Sequence, residues 1–333
     1  DPDVLADSQV SVPRPAPRAV NVEERLQDKI PRVQLPGIPL GSFVRLMTEF
    51  STIPITIDPD ALALLRLTID SPVRVDLSDA PVGQILSAAL QPLRLALVRR
   101  GEQLVVTRPA AADGGLRLYR HPVDDLVGDD PHDLDKLAET ITRMVVPDSW
   151  ETLGGPGQLT VEMPALVIHN EETVLFRVLV FCERLRTARG LPHTTKLDSA
   201  LFTLEPLVAR ARSVLNQPVR IRYVEPAPWL EILERITQET GLQILVDWQA
   251  VAGLGWTPEA ETAFTAGDQP VGQALAALLR PMDLTYRVVG PSLVQVTSPG
   301  RVQDLWDIEF YPLNDPPDES AAAAERVGDL LRT

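Results

Sequence analysis

Pro81-Val82-Gly83-Gln84 recurs as Pro270-Val271-Gly272-Gln273, 189 residues further along the chain. The match spreads in both directions. Downstream, Leu90-Gln91-Pro92-Leu93-Arg94-Leu95 lines up with Leu279-Arg280-Pro281-Met282-Asp283-Leu284. Upstream, Ile53-Pro54-Ile55-Thr56-Ile57-Asp58 lines up with Leu242-Gln243-Ile244-Leu245-Val246-Asp247. Leu104-Val105-Val106-Thr107 meets Leu293-Val294-Gln295-Val296-Thr297 once one hairpin is given a single extra residue. Four matches in one order at a near-constant offset are a duplication.

Hydrophobic periodicity sets the elements of the repeated unit. Arg32 to Leu35 alternates as a strand, and Leu40, Phe43, Val44 and Met47 fall at helical spacing. Ile53, Ile55 and Ile57 point one way along a second strand. Val73 to Leu77 is a third strand, and Pro81 to Leu90 a second helix with Val82, Ile85, Leu86, Ala89 and Leu90 on one stripe. Asp79 is placed to cap that helix, since Pro is tolerated in a first helical turn. A hairpin turning at Arg100-Gly101 closes the unit. The second copy repeats this order from Ile221 to the hairpin around Gly290-Pro291. Each copy reads as a βαβ–βαββ unit of roughly 80 residues.

Between the copies the order is βαββα. Leu116 to Tyr119 is a strand. Asp133 to Met144 is a helix with Leu134, Leu137, Ile141 and Met144 on one face. Gln158 to Met163 and Ala165 to His169 form a hairpin turning at Pro164. Glu171 to Arg186 is a helix with Val174, Val178, Phe181 and Leu185 inward. Phe310-Tyr311-Pro312-Leu313 lines up with Arg120-His121-Pro122-Val123, so the duplication restarts this region before the sequence stops at Thr333.

The expected organisation follows. Residues 1–29 are an extended, Pro-rich tether, with a short helix from Val22 to Lys29. Residues 30–108 and 217–298 are the two copies, and 115–190 is the βαββα domain. Residues 191–216 are a connector carrying an amphipathic helix from 197. Residues 305–333 begin a second βαββα domain and are expected to be weakly ordered or docked elsewhere. The fold class is α+β, with small sheets and helices joined as beads. The start at Asp1, without Met or an apolar h-region, is expected of a processed or excised piece.

The unit of short strand, Pro-Leu helix, alternating strand ending in Asp, strand, helix and hairpin ending Val-x-Val-Thr resembles the secretin and TonB short N-terminal domain. Here Pro39-Leu40 through Asp58 and Asp79 through Thr107 carry it, then Trp229 through Asp247 and Asp268 through Thr297. The βαββα segment resembles the KH-like ring-building domain of secretins. Trp150 followed by Gly154-Gly155-Pro156-Gly157 is similar to versions in large periplasmic proteins of planctomycete-type bacteria. The resemblance implies a periplasmic or outer-membrane-associated location. It implies protein–protein contacts in secretion or transport, with other envelope proteins or with itself. The sequence departs from secretins in alternating whole two-domain units, and no barrel lies within these residues.

Composition narrows the function classes. Apolar residues at 44% and charged residues at 23% exclude a wholly disordered chain. The net charge of −15 repels phosphate backbones, so nucleic acid is not an expected partner. No apolar run is long enough for a membrane-spanning helix. One cysteine, Cys182, excludes an intramolecular disulfide and a multi-cysteine zinc site.

No catalytic, cofactor or metal site is expected. A nucleophile–base pair would have to join Cys182 to His169, or a Ser to His121, His132, His169 or His193, and structural roles are expected instead. Asp129, Asp130, Asp133 and Asp135 lack the glycine and closing Glu of a calcium loop and read as a helix start. Gly154 to Gly157 matches the Gly-x-x-Gly of nucleic-acid-binding KH loops. Yet no Lys or Arg stands between Asp148 and Asn170. A loop with positive φ, covered by Trp150, is expected. Trp256 with Leu254, in what reads as a loop insert of the second copy, is the candidate exposed partner contact. The leading expectation is a non-enzymatic envelope assembly module. The alternative is a monomeric adaptor that captures a partner segment by strand addition.

Overall fold

The computed structural model describes residues 20–109, 115–128, 131–304 and 308–310. Residues 1–19 of the Pro-rich tether, Asp129, Asp130, Trp306 and residues 311–333 lie outside the described residues. The architecture is α+β, built from several small sheets.

The first copy is preceded by α1 (Val22–Gln27), started by Asn21, whose side chain accepts from the Glu24 amide. β1 (Lys29–Pro39) pairs antiparallel with β3 (Pro72–Pro81) as a two-stranded ribbon. α2 (Leu40–Ser51) follows Pro39 directly. It has no side-chain cap, and its first amides donate instead to the carbonyls of Ser71 and Ile69 at 2.9 and 2.8 Å. β2 (Ile55–Ile57) leads into α3 (Pro59–Leu65), capped by Asp58. α4 (Val82–Leu90) then leads to the hairpin of β4 (Ala96–Arg100) and β5 (Gln103–Thr107). β2 runs parallel to β5, which gives the sheet order β2-β5-β4. Leu40, Phe43 and Met47 of α2, Ile85 and Leu86 of α4, and Ile53, Ile55 and Ile57 share one buried core.

The intervening segment contributes β6 (Arg117–Pro122), α5 (Pro131–Met144), β7 (Gln158–Glu162), β8 (Ala165–Asn170) and α6 (Glu172–Ala188). The sheet order is β6-β8-β7. Leu134, Leu137 and Ile141 of α5 and Val174, Val178 and Phe181 of α6 enter the core as their spacing predicts. Met144 does not. It is 45% exposed, because α5 ends there and the chain turns away through Val145 and Val146, the latter at φ 45°.

The second copy is led by α7 (Leu207–Leu215) and then repeats the first. β9 (Pro218–Pro228), α8 (Trp229–Thr240), β10 (Gln243–Val246), α9 (Trp248–Gly253), β11 (Glu261–Pro270) and α10 (Val271–Leu279) follow. The hairpin of β12 (Thr285–Gly290) and β13 (Leu293–Thr297) closes the copy, and α11 (Pro299–Asp304) follows.

The duplication reaches backbone detail. β1, α2, β3 and α4 have the same bounds as β9, α8, β11 and α10 after a shift of 189. Arg94 and Asp283, both left-handed, end matching turns at φ 57° and 56°. Thr107 donates to Asp58 at 2.9 Å, and Thr297 donates to Asp247 at 3.2 Å. The leading helices belong to the repeat as well. Val22 and Ala211 are both fully buried, each in the core of its own copy.

Three further expectations change. Asp79 does not cap α4. It sits in β3 at φ 48° and pairs with Lys29 at 2.9 Å. Asp268 does the same at φ 51° with Arg220. The helices begin one residue after their prolines, and the amides of Val82 and Val271 donate to the carbonyls of Asp28 and Gln217, both at 2.9 Å. The connector is not one helix. A 3-10 turn at Ser199–Phe202 precedes α7, because Pro206 cannot lie inside a continuous helix. The copies are not separate beads either. They share one compact unit, and the segment from Leu118 to Glu205, apart from Glu171–Thr173, belongs to another.

Candidate functional site

Within the unit that holds both copies, equivalent surfaces meet. β2 lies against β10, and Leu245 of β10 is buried in the core cluster of the first copy. Alternation along β2 would leave Thr56 on the outer face of its sheet. It is 8% exposed, and the neighbouring Gln103 is 6% exposed, because the second copy covers that face. The Thr56 hydroxyl is fully used. It donates to Gln103 Oε1 at 3.2 Å and accepts from the Trp248 amide at 3.0 Å. Arg45 of α2 forms an ion pair with Glu234 of α8, each about a third exposed.

A groove of about 330 Å³ follows this seam. Matching residues line it from both sides: Val44 and Leu233, Thr48 and Thr237, Ile55 and Ile244. Equivalent residues facing one groove, with the Arg45–Glu234 pair and β2 against β10, mark a pseudo-twofold arrangement, the isologous geometry of a symmetric dimer made within one chain. The volume lies at the lower end of what small-ligand pockets need. Arg45 and Glu234 on its wall neutralise each other.

Trp256 is not an exposed contact. It is 2% exposed, and its indole N–H donates to the Met282 carbonyl at 2.7 Å. The stretch is no insert: Gly255 at φ 84° matches Arg66 at φ 56°, and Trp256 matches Leu67, which packs on the core of the first copy. Leu254 is half-buried against the second core. Trp229 and Trp248 are buried too, with rings 5.7 Å apart at 74°.

The other unit holds a buried ionic network. Arg186, 1% exposed, makes a two-pronged contact with Asp125 at 2.7 and 2.8 Å. It also donates to Glu183 at 3.0 Å and to the Pro122 carbonyl at 2.8 Å. Glu183 is fully buried and accepts from the Thr194 hydroxyl at 2.6 Å. The Arg186 guanidinium, mainly by hydrogen bonding, holds the Asp125 carboxyl below its ordinary range. The network ties the turn after β6 to α6 and to the loop that follows it.

Titratable groups of catalytic type are sealed in the same core. Burial pushes the Cys182 thiol up to about 12, so it stays protonated and is no nucleophile. His121 is 3% exposed. Burial first, then the Arg186 charge, lowers its pKa to about 4, and its Nε2 has no hydrogen-bond partner among the described residues. Neither group meets solvent in a cleft. Among the described residues no group of three or more His, Cys, Asp or Glu is placed to hold a metal. No helix among them is long and apolar enough to cross a membrane.

The Gly154–Gly157 loop is a packing device. Gly154 takes φ 90°. A Cβ on Gly155 would lie 2.3 Å from the Asp148 carbonyl oxygen, and one on Gly157 2.0 Å from Asn170 Nδ2. Trp150 is buried above it, and its indole donates to the Val145 carbonyl at 2.7 Å.

Sequence reasoning did not single out Arg45, Glu234, Thr56 or the Arg186 network. For Arg45 and Glu234 a signal existed: aligning the copies puts opposite charges at one repeat position.

No protein-family model matches the chain, and no curated protein matches it. Among solved structures, it is similar to the enterotoxigenic Escherichia coli GspC-GspD complex from the type II secretion system. That match has 12% identity and a TM-score of 0.19, covering 47% of this chain and 98% of that one. It is also similar to the structure of XcpQN012, with 15% identity and a TM-score of 0.20, covering 59% of this chain and 87% of that one. At such TM-scores, function has to be argued from the chain's own residues.

Proposed function

We propose that this protein is a non-enzymatic interaction or assembly module of the cell envelope, of the kind formed by the periplasmic domains of secretins, serving protein secretion or transport. Its partners are then other envelope proteins or further copies of itself, in the periplasm or against the outer membrane. One observation carries the reading: the repeated unit uses a sheet-and-helix face to bind another unit of its own kind, through Thr56, Leu245, Arg45 and Glu234. A chain whose repeated architecture goes into domain-to-domain contact, with its thiol and its buried histidine sealed away from solvent, fits association.

A second reading is a monomeric adaptor that binds a partner segment by strand addition. β7 supports it, since among the described residues it pairs with β8 alone and its residues alternate between exposed and half-buried. Such an edge accepts a partner strand through its free backbone groups.

Sedimentation velocity of the whole chain over a hundredfold range of concentration tests the first reading. A discrete oligomer supports assembly. A concentration-independent monomer removes self-assembly and leaves contacts with other envelope proteins, the adaptor among them.

A further inference from the structure

The two copies differ at the positions where they touch. A shift of 189 maps Arg45 onto Glu234, Thr56 onto Leu245 and Pro59 onto Trp248. The strand registers map Gln103 onto Leu293. The first copy thus brings a cation and two polar side chains to the seam. At those positions the second brings an anion and two leucines, while its Gln295, beside Leu245, stands where the first copy has Val105.

Each difference matters under a twofold arrangement. If two first copies met, Arg45 would face Arg45. Thr56 would face Pro59, which has no N–H to donate. If two second copies met, Glu234 would face Glu234. The Trp248 amide would face Leu245, which has no acceptor, and a buried donor left unpaired is costly. Only the mixed pair satisfies both the charge and the hydrogen bond. Like charges placed together are a standard way to reject the wrong partner.

We propose that the α2/β2 face of the first copy is a heterotypic pairing surface, fitted to a unit of the second-copy type and selective against its own type. Arg45 and Thr56 on one side, with Glu234 and Trp248 on the other, determine the choice. The pair closes within one chain, so self-assembly of whole chains has to use other faces. The inference goes beyond the assembly reading and does not depend on it.

The Trp248 amide reports opening of the seam, because its acceptor, Thr56 Oγ1, is on the other copy. The amides of Val82 and Val271 report the integrity of each copy, because their acceptors are local. Hydrogen exchange is measured at all three in the whole chain, for the wild type, Arg45→Glu, Glu234→Arg and the double reversal. Each single reversal is expected to speed exchange at Trp248 by about tenfold. The double reversal restores the rate to within about twofold, and the other two amides do not change. Thr56→Val, which keeps the shape and removes the acceptor, also speeds Trp248 alone. An unchanged Trp248 in the single variants overturns the proposal, as does a double reversal no slower than the singles. Acceleration of all three amides together overturns it too, because the reversals would then be unfolding the copies instead of parting them.

Discussion

Arg45 and Glu234 occupy the same position in two copies of one structural unit, and they form an ion pair with each other. An isologous contact between identical units would put like charges there. Opposite charges at a shared position let each copy satisfy the other. Sheet faces that would be solvated in a lone unit carry Thr56 and Gln103 on one side and Leu245 on the other, and the seam buries all three.

The duplication supplies its own control for helix termination. Thr52 ends α2 in the left-handed region at φ 58°, and Gly241 ends α8 at the matching place at φ 72°. A Cβ is penalised there and glycine is not. Thr52→Gly is expected to stabilise the chain by about 0.5–1 kcal/mol, and Gly241→Thr to destabilise it by a similar amount. Urea unfolding of both variants checks this, and a loss of stability in Thr52→Gly would show that the Thr52 side chain contributes more than its backbone costs.

Much of this architecture was legible in the residues. Aligned repeats placed the helices and strands of both copies, because apolar spacing and turn residues are local signals. The errors came where tertiary contacts outweigh local preference. Asp79 has the chemistry of a helix cap, yet β3 runs on past it to Pro81 and its carboxylate turns to Lys29. Trp256 looked exposed beside two glycines, but Gly255 folds it back onto the core, where it finds the Met282 carbonyl. The trio of Arg186, Asp125 and Glu183, in which Arg186 and Glu183 are buried, draws on residues up to 61 apart, and nothing in their spacing announces it.

Arg186 holds that trio, so its removal leaves Glu183 as an uncompensated buried charge. Arg186→Met is expected to cost about 3–5 kcal/mol. Adding Glu183→Leu to Arg186→Met recovers a large part, because the stranded charge goes with it. Denaturant unfolding of the single and double variants decides the matter. A double variant weaker than the sum of the two single losses would mean that packing, not charge, dominates the site.

The loop after Trp150 separates two effects of a methyl group. Gly155→Ala drives a Cβ to 2.3 Å from backbone atoms of Asp148 and Ser149 and is expected to cost about 1–3 kcal/mol. At Gly154 a Cβ meets nothing within 4 Å, so Gly154→Ala carries only the strain of φ 90°, about 1 kcal/mol. Thermal midpoints rank the two. Equal losses would mean that the loop shifts freely to accept the Gly155 methyl.

His121 is expected to lead the acid response of its domain. Its folded pKa is lowered to about 4 from the ordinary 6.5 by burial and by the Arg186 charge. Above pH 6.5 the ring is neutral in both states and the shift contributes nothing. As pH falls from 6.5 to about 4 the unfolded chain takes up a proton that the folded chain refuses, so stability drops by an amount on the order of 2–3 kcal/mol. Asp125 acts in a lower window. Its pKa is held below 3.8 in the fold, so the stability it contributes above that value is lost only as pH falls through the depressed one. Unfolding free energies of the wild type and of His121→Leu at pH 7.5, 5.5 and 4.5 separate the two groups. The wild type should weaken across this range and the variant should stay nearly level. Parallel slopes would assign the acid sensitivity to groups other than His121.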